Sequence, residues 1–220
     1  MSNPLEQSYN GRSKYCKRTA QSYEDNRPDR THRAELRLLD RIFDSIPRRH
    51  LVLDIPCGGG RITRHLAEKG YYMVAGDLSA PMRALAENNL QGLVPACPVM
   101  DLDIEHLDLA DRCVDTLLCF RLFHHFPDPA TRERAIGEMC RVANRFVALS
   151  YFSPYSFTSI KRRLRQSRGG RPSQKHATPL HEIETYFAAH GFRLLLNRGR
   201  LPGLHTLHVA LFERDPVLCL

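Results

Sequence analysis

A carboxylate followed by a run of glycines, with a second carboxylate further along the chain, is the pattern in this sequence that indicates chemistry. Asp54 follows the apolar residues 51–53, and the three glycines 58–60 come shortly after it. Asp77 ends the next apolar stretch. Glycines at the end of a strand let a ligand approach the backbone closely, and a carboxylate after the second strand accepts hydrogen bonds from a ribose diol. The pattern therefore indicates a site for a nucleotide-type ligand.

Two classes of ligand fit such a site, nicotinamide or flavin dinucleotides and S-adenosylmethionine. A dinucleotide fingerprint is Gly-x-Gly-x-x-Gly, which seats the pyrophosphate on the N-terminus of the following helix. Here the glycines are contiguous, Asp54 precedes them and Arg61 opens the helix. A carboxylate beside the ligand suits an ammonium group better than a pyrophosphate. The spacing therefore favours S-adenosylmethionine.

The same stretch resembles motif I of the class I S-adenosylmethionine-dependent methyltransferases, acidic-x-Gly-x-Gly-x-Gly, with Asp54, Gly58 and Gly60 in register. Pro56 stands where the first glycine is usual, and proline fixes φ at a value that a turn can use. The resemblance covers roughly residues 51–152. It implies methyl transfer from S-adenosylmethionine, with S-adenosylhomocysteine as the product.

The resemblance also implies a set of contacts to the cofactor. Asp77 takes the ribose role, and Asp103 takes the adenine role because Leu107 and Leu109 follow it in the family pattern. Asp101 stays an alternative for adenine, since it lies one side-chain period away. Tyr23, in an N-terminal segment like the lid of many small-molecule methyltransferases, is either a cofactor contact or a surface tyrosine. The predicted cofactor-binding residues are Asp54, Pro56, Cys57, Gly58, Gly60, Asp77, Leu78, Met82, Asp103, Ile104, Cys119 and Tyr23.

The catalytic candidates lie in residues 121–129, directly after the predicted fourth strand. In the family, this loop lies between the cofactor and the methyl acceptor. A general base is needed only if the acceptor must lose a proton, and we predict His124 for that role, then His125, with Arg121 pairing an anionic acceptor. A purely structural role for each histidine stays open. No metal is predicted, because neighbouring side chains diverge on an extended backbone and no third ligand has matching spacing.

The elements that must position these residues alternate between strands and amphipathic helices. The first helix is predicted to begin near Thr31. The last helix is predicted over about 178–191, and two strands follow it, at 192–197 and 205–212. This alternation predicts a doubly wound, Rossmann-like α/β sheet of about seven strands. The resemblance implies an antiparallel final pair. We expect an N-terminal extension or lid over residues 1–30 and a methyltransferase domain over 31–220, which includes a basic insertion at 153–179.

That basic insertion carries seven Lys or Arg residues between Lys161 and Lys175 and no acidic residue from Lys161 to His181. We predict that Arg162, Arg163 and Arg165 bind an anionic substrate or ligand. Three partners are open: an anionic small-molecule, glycan or lipid-type acceptor; RNA; and a regulatory nucleotide or partner protein bound by a methyltransferase fold. RNA is not favoured, because no aromatic residues interleave with the cations. A solvated surface run is the remaining alternative.

Composition excludes several other classes. The chain has 220 residues and a formal net charge of +8, which suits an anionic partner. Its seven cysteines include no Cys-x-x-Cys pair, which argues against a disulfide framework and a zinc ribbon. No signal peptide or apolar run of membrane-spanning length is visible, so we expect a cytoplasmic protein. The sequence leaves the oligomeric state open.

Overall fold

A mixed seven-stranded sheet forms the centre of the computed structural model, which describes residues 29–167, 169, 175–201 and 205–216. The strands are β1 (Leu51–Asp54), β2 (Tyr72–Asp77), β3 (Val99–Asp101), β4 (Val114–Cys119), β5 (Ala143–Phe152), β6 (Phe192–Gly199) and β7 (Leu207–Arg214). Their order is β3-β2-β1-β4-β5-β7-β6. The first five strands pair in parallel, whereas β7 is antiparallel to β5 and to β6. The predicted fold class and the antiparallel ending are confirmed.

Helices cover both faces of this sheet. They are α1 (Asp29–Phe43), α2 (Arg61–Glu68), α3 (Ala80–Leu90), α4 (Pro129–Val142), α5 (Phe157–Ser167) and α6 (Leu180–Ala189). Successive side chains of a strand point to opposite faces, so Val52 packs in the core with α1 and α2, whereas Leu53 packs in the core with α4 and α6. Each face of the sheet therefore has a hydrophobic core of its own, and the strand ends between the two layers hold the polar residues.

Side-chain caps fix the starts of two helices. The Ser79 hydroxyl accepts the backbone N–H of Met82 at the start of α3, and the Asp128 carboxylate accepts that of Thr131 at the start of α4. Both caps satisfy an N–H group that has no partner inside its helix. They also place the loops that precede α3 and α4, which are two of the loops that carry predicted site residues.

Two further features complete the fold. No turn separates α4 from β5, because the strand begins at Ala143 directly after Val142. Helix α5 lies inside the segment 153–179, for which we expected a basic insertion. Ser156 caps it by accepting the backbone N–H of Ser159 at 3.2 Å. None of the helices in the described ranges is both long enough and apolar enough to cross a bilayer.

Candidate functional site

The site lies where four neighbouring parallel strands end. In the sheet order, β3, β2, β1 and β4 finish with Asp101, Asp77, Asp54 and Cys119. The strand order reverses between β1 and β4: the chain runs from β1 to β2 and β3 on one side, and from β4 to β5 on the other. Open α/β sheets bind their ligands at the point of such a reversal. The carboxylates that the sequence marked out are therefore brought to one edge of one sheet.

The glycine turn after β1 is held by the carboxylate at the end of β2. Gly58 and Gly60 have φ values of 55° and 80°, which L-residues other than glycine rarely adopt. The two Asp77 oxygens accept the backbone N–H groups of Gly58 at 2.9 Å and Ser79 at 2.8 Å. Burial raises the pKa of Asp77, although these two hydrogen bonds oppose the rise. Asp77 thus ties the glycine turn to the start of α3 and presents a desolvated carboxylate there.

Asp54 is a buried carboxylate with one oxygen still to be satisfied. Its side chain is 1% exposed, and Oδ2 accepts the Thr63 hydroxyl at 2.7 Å. Oδ1 has no hydrogen-bond partner within the described part of the chain. Burial raises the pKa of Asp54 to about 7. Because an unpaired buried carboxylate is costly, a ligand cation near Oδ1 would stabilise the ionised form.

The turn leaves room for a ligand next to its backbone. A Cβ added to Gly58 would meet no atom within 4 Å, whereas one added to Gly60 would lie 3.1 Å from the Leu90 side chain. The space beside Gly58 is therefore open, and Gly60 is needed for the packing of α2 against α3. Asn89, also on α3, donates to the carbonyl of Gly59 at 2.9 Å and holds the turn from outside.

The remaining predicted cofactor contacts differ in their exposure and in their surroundings. Leu78 is 44% exposed beside the strand ends, whereas Met82, Ile104, Cys57 and Cys119 are buried around them. The Cys57 N–H donates to the carbonyl of Gly76, and Pro56 follows a cis peptide bond. Burial raises the pKa of both thiols, so neither behaves as a thiolate. Tyr23 lies outside the described residues.

The two candidates for the adenine contact have different surroundings. Asp101 is paired with Arg83, whose guanidinium lies 2.8 Å from its carboxylate. Asp103 accepts the backbone N–H of Glu105 at 3.1 Å in the turn after β3. Both carboxylates therefore stay candidates for the adenine role, with Asp103 the predicted one.

The loop after β4 carries the predicted catalytic residues on a short 3₁₀ helix, Phe123–His125. The His124 ring is 1% exposed and stacks on Phe152 with 4.0 Å between ring centroids and an interplanar angle of 7°. His125 is only partly buried. The ring centroids of His124 and His125 lie 4.3 Å apart. A stacked imidazole is held in one orientation, which is a requirement for a positioned base.

The prediction that the two histidine side chains diverge on an extended backbone is wrong. The backbone turns in the 3₁₀ helix, which brings His124 and His125 side by side. No group of three His, Cys, Asp or Glu side chains suited to a metal ion occurs within residues 29–167, 169, 175–201 and 205–216.

A buried ion cluster that the sequence analysis missed joins α1 to both loops. Glu35 is fully buried and lies 3.1 Å from the guanidinium of Arg61 and 2.7 Å from that of Arg121. Arg61 also donates to Nδ1 of His32 at 2.7 Å. The prediction that Arg121 pairs an anionic acceptor is untested, but in the structure one of its N–H groups is committed to Glu35. Arg121 itself has a φ of 63°, and its backbone N–H donates to the Ser150 hydroxyl.

A sequence signal for Glu35 did exist. It stands four residues before Leu39 and seven before Ile42, so it lies on the same side of α1 as these fully buried residues. A carboxylate on the apolar face of an amphipathic helix requires a buried partner. Thr63 and Phe152, by contrast, have no such signal, because their roles depend on contacts across the fold.

The basic insertion returns to this loop at its C-terminal end. The backbone N–H of His176 donates to the carbonyl of His124 at 2.8 Å, and that of Thr178 donates to the carbonyl of Phe152 at 2.9 Å. The Lys175 ammonium lies 5.6 Å from the centre of the Phe152 ring. The Arg165 side chain is exposed, whereas the side chains of Arg162 and Arg163 lie outside the described part of the structure. The end of the insertion therefore contacts the loop after β4 and the end of β5, by backbone hydrogen bonds and by the Lys175 side chain.

Known proteins share sequence with part of this chain. Residues 52–145 match a family model described as a methyltransferase domain. The chloroplastic magnesium protoporphyrin IX methyltransferase of Arabidopsis thaliana is 27% identical over 130 residues, which are 59% of this chain and 41% of that protein. The malonyl-[acyl-carrier protein] O-methyltransferase of Pectobacterium atrosepticum is 38% identical over 92 residues, 41% of this chain and 33% of that protein. The aligned part thus spans well under half of each relative.

A solved structure extends the likeness over most of the fold. The magnesium protoporphyrin IX methyltransferase of Synechocystis PCC 6803, crystallised with bound S-adenosylhomocysteine, has a TM-score of 0.69 and 18% sequence identity. The superposition covers 84% of this chain and 83% of that one. At this identity, the likeness establishes a shared fold.

Proposed function

We propose that this protein is a class I S-adenosylmethionine-dependent methyltransferase that transfers a methyl group to an anionic small-molecule, glycan-type or lipid-type acceptor. The match of residues 52–145 to a methyltransferase-domain model supports this proposal. The observation that carries the proposal is the buried Oδ1 of Asp54, which lacks a partner among the described residues and lies at the glycine turn. A ligand with an ammonium group would donate a hydrogen bond to this oxygen and neutralise its charge. A dinucleotide would place a pyrophosphate there, beside a carboxylate.

Each part of S-adenosylmethionine would have its own binding residue at or near the strand ends. Asp54 would hold the amino group of the methionine part, and Asp77 the ribose hydroxyls. Asp103 would accept the adenine amino group, and the open space beside Gly58 would admit the ligand against the backbone. When bound, the cofactor supplies a sulfonium whose methyl group is already activated for in-line displacement. The protein contributes mainly by holding donor and acceptor in position and by excluding water.

An acceptor hydroxyl must lose a proton during such a transfer, and His124 would take it. Stacking on Phe152 fixes the plane of the His124 ring, and the hydrogen bond from His176 fixes its backbone carbonyl. His125 would be the substitute, since it lies beside His124 and is more exposed. An acceptor that is already ionised, such as a carboxylate, would need no base and would rely on orientation alone.

Two features support an anionic acceptor. Lys175 lies over the Phe152 ring, on which His124 stacks, and the helix before it carries Lys161 and Arg165 at the surface. A malonyl group, the acceptor named for the Pectobacterium relative, ends in a carboxylate. Arg162, Arg163 and Arg165 remain proposed anion contacts. A panel of phosphorylated and carboxylated small molecules, assayed by release of S-adenosylhomocysteine, would identify the acceptor class.

The cofactor part of the proposal is tested by isothermal calorimetry with S-adenosylhomocysteine and NAD. We expect one binding site for S-adenosylhomocysteine and no heat with NAD. Asp77→Asn keeps the size of the side chain but replaces an acceptor oxygen with a donor, so the affinity should fall by about tenfold or more. Asp111→Asn is the matched control, because Asp111 is an exposed carboxylate paired with Arg141 away from the strand ends.

Two results of this titration would contradict the proposal. One is the absence of heat with S-adenosylhomocysteine from protein whose circular dichroism shows it to be folded. The other is an equal loss of affinity in Asp77→Asn and Asp111→Asn, since it would mean that charge in general, and not the carboxylate at the end of β2, governs binding.

A further inference from the structure

Helix α5 and the turn before it expose an unusual amount of apolar surface. Tyr155, Phe157, Ile160 and Leu164 are 69%, 61%, 48% and 51% exposed. Four of the nine large apolar side chains that are exposed in the described residues therefore fall within ten consecutive positions. Single exposed apolar residues are normal on a protein surface, whereas a contiguous patch marks an interaction site.

The apolar side chains of α5 share one face of the helix. At about 100° per residue, Phe157, Ile160 and Leu164 lie within an arc of about 60°. Ser159 is buried and donates through its hydroxyl to the carbonyl of Ser153 at 2.7 Å. It lies about 130° from the centre of that arc. The helix is thus fastened to the protein by one side and presents its apolar side to the outside.

Positive charge borders this apolar face. Lys161 and Arg165 are exposed on α5, and the sequence carries no acidic residue from Lys161 to His181. An apolar stripe flanked by cations is the pattern of a helix that lies in the plane of a membrane surface. From this we propose that α5 docks on an anionic lipid surface, with Phe157, Ile160 and Leu164 inserted between the lipids and the adjacent cations on the head groups.

Charge decides between this partner and two others. A second copy of the chain would place the same cations against each other, which opposes self-association through α5. An RNA strand would satisfy the cations, but aliphatic side chains such as Ile160 and Leu164 give it no stacking platform. An anionic bilayer satisfies both the apolar face and its charged border.

Docking through α5 would bring the strand ends close to the lipid. Helix α5 begins shortly after β5, at Phe157, and residues 176–178 return to His124 and to the last residue of β5 by backbone hydrogen bonds. The acceptor loop therefore lies near the docked surface. The docking itself is independent of methyl transfer, so it is tested by binding alone.

The experiment is flotation of the full chain with vesicles of phosphatidylcholine and of phosphatidylcholine with 30% phosphatidylglycerol. We expect binding to the anionic vesicles only, weakened by salt. Phe157→Ser combined with Ile160→Ser and Leu164→Ser should lower the partition coefficient at least tenfold. Lys161→Gln combined with Arg165→Gln should lower it about 30-fold, because each cation near an anionic surface contributes a factor of about five.

A triple serine variant of Tyr72, Val94 and Leu195 is the matched control, since these exposed apolar residues lie outside α5. It should bind the anionic vesicles as the unchanged chain does. Absence of vesicle binding by the unchanged chain would overturn the proposal, as would equal binding to neutral vesicles or equal losses in the control. Retention on RNA that is unaffected by the Phe157, Ile160 and Leu164 substitutions, without vesicle binding, would assign the cations to nucleic acid.

Discussion

The glycine turn after β1 and the loop after β4 lie side by side at one sheet edge, but they are built in different ways. The turn is held by near neighbours in sequence and by the carboxylate at the end of the next strand, through hydrogen bonds from Thr63 to Asp54 and from Gly58 to Asp77. The loop is held by residues far along the chain, namely Glu35, Phe152 and His176. A short motif can therefore specify the turn, which is the proposed cofactor side of the site, whereas the loop, the proposed acceptor side, depends on the whole fold.

The largest effect of a substitution is expected on turnover, at His124 on the proposed acceptor side. If His124 is the general base, His124→Gln should lower turnover by about 10²- to 10⁴-fold with the acceptor that the panel identifies, while the affinity for S-adenosylhomocysteine stays within about twofold. His125→Gln is the control and should cost less than tenfold. Release of S-adenosylhomocysteine and calorimetry measure the two quantities. A loss of turnover below tenfold in His124→Gln would mean that this loop only orients the acceptor and supplies no general base.

The next largest effect is expected at Glu35, which links the two regions. Glu35→Ala leaves Arg61 and Arg121 without their buried carboxylate, so the free energy of unfolding should fall by about 2–4 kcal/mol. Glu213→Ala is a matched control, because Glu213 also pairs with two arginines, Arg145 and Arg193, but near the surface. It should cost less than about 1 kcal/mol. Urea denaturation measures both, and equal losses would refute the special role of the buried cluster.

A smaller effect of opposite sign is expected at Asp54, on the cofactor side. Its pKa is about 7 in the folded protein and near 3.8 in the unfolded chain. The folded protein therefore holds a proton that the unfolded chain has lost, and stability falls as the pH rises from about 4 to about 7. Asp54→Asn, which stays neutral, should stabilise the ligand-free protein by about 1–3 kcal/mol at pH 8 and weaken S-adenosylhomocysteine binding.

Urea denaturation at pH 5 and pH 8 tests this prediction, because the difference between variant and unchanged chain isolates Asp54 from the other titrating groups. The two proteins should differ more at pH 8 than at pH 5. The same difference at both pH values would mean that Asp54 is ionised throughout this range.

The smallest effect is expected at Gly58. Gly58→Ala and Gly92→Ala both place a side chain on a backbone with positive φ and open space around it, so each should lose about 1–2 kcal/mol of stability. Only Gly58→Ala puts its methyl group beside the ligand, where crowding should weaken S-adenosylhomocysteine by about tenfold. Calorimetry on both variants checks this. Similar affinities in the two would place the ligand away from the turn.

The parts of the structure that the sequence predicted are those in which neighbouring residues carry the whole signal. The strand, glycines and helix around Asp54 follow one another along the chain. Alternating strands and helices then leave few ways to order a parallel sheet, because the connections are short and right-handed. The fold class and the position of the two carboxylates follow from these rules.

The parts that the sequence did not predict depend on distant contacts or on a local turn without a marker. The ion pair from Glu35 to Arg121 joins residues 86 positions apart. The His124 and His125 rings lie side by side because the backbone forms a 3₁₀ turn there, and the turn itself contains no glycine or proline that would predict it. Helix α5 was hidden because its apolar residues alternate with a dense run of cations, which are typical of a solvated segment. The extent of the N-terminal lid and of the basic insertion stays a prediction.

The central claim, that the end of β1 receives the amino group of S-adenosylmethionine, is tested most directly by a crystal structure of the protein with S-adenosylhomocysteine. We predict that the ligand amino group lies within hydrogen-bond reach of Asp54 Oδ1, directly or through one water, and that the ribose hydroxyls contact Asp77. A ligand bound elsewhere, or an Asp54 Oδ1 that remains without a partner while the ligand is present, would contradict the claim.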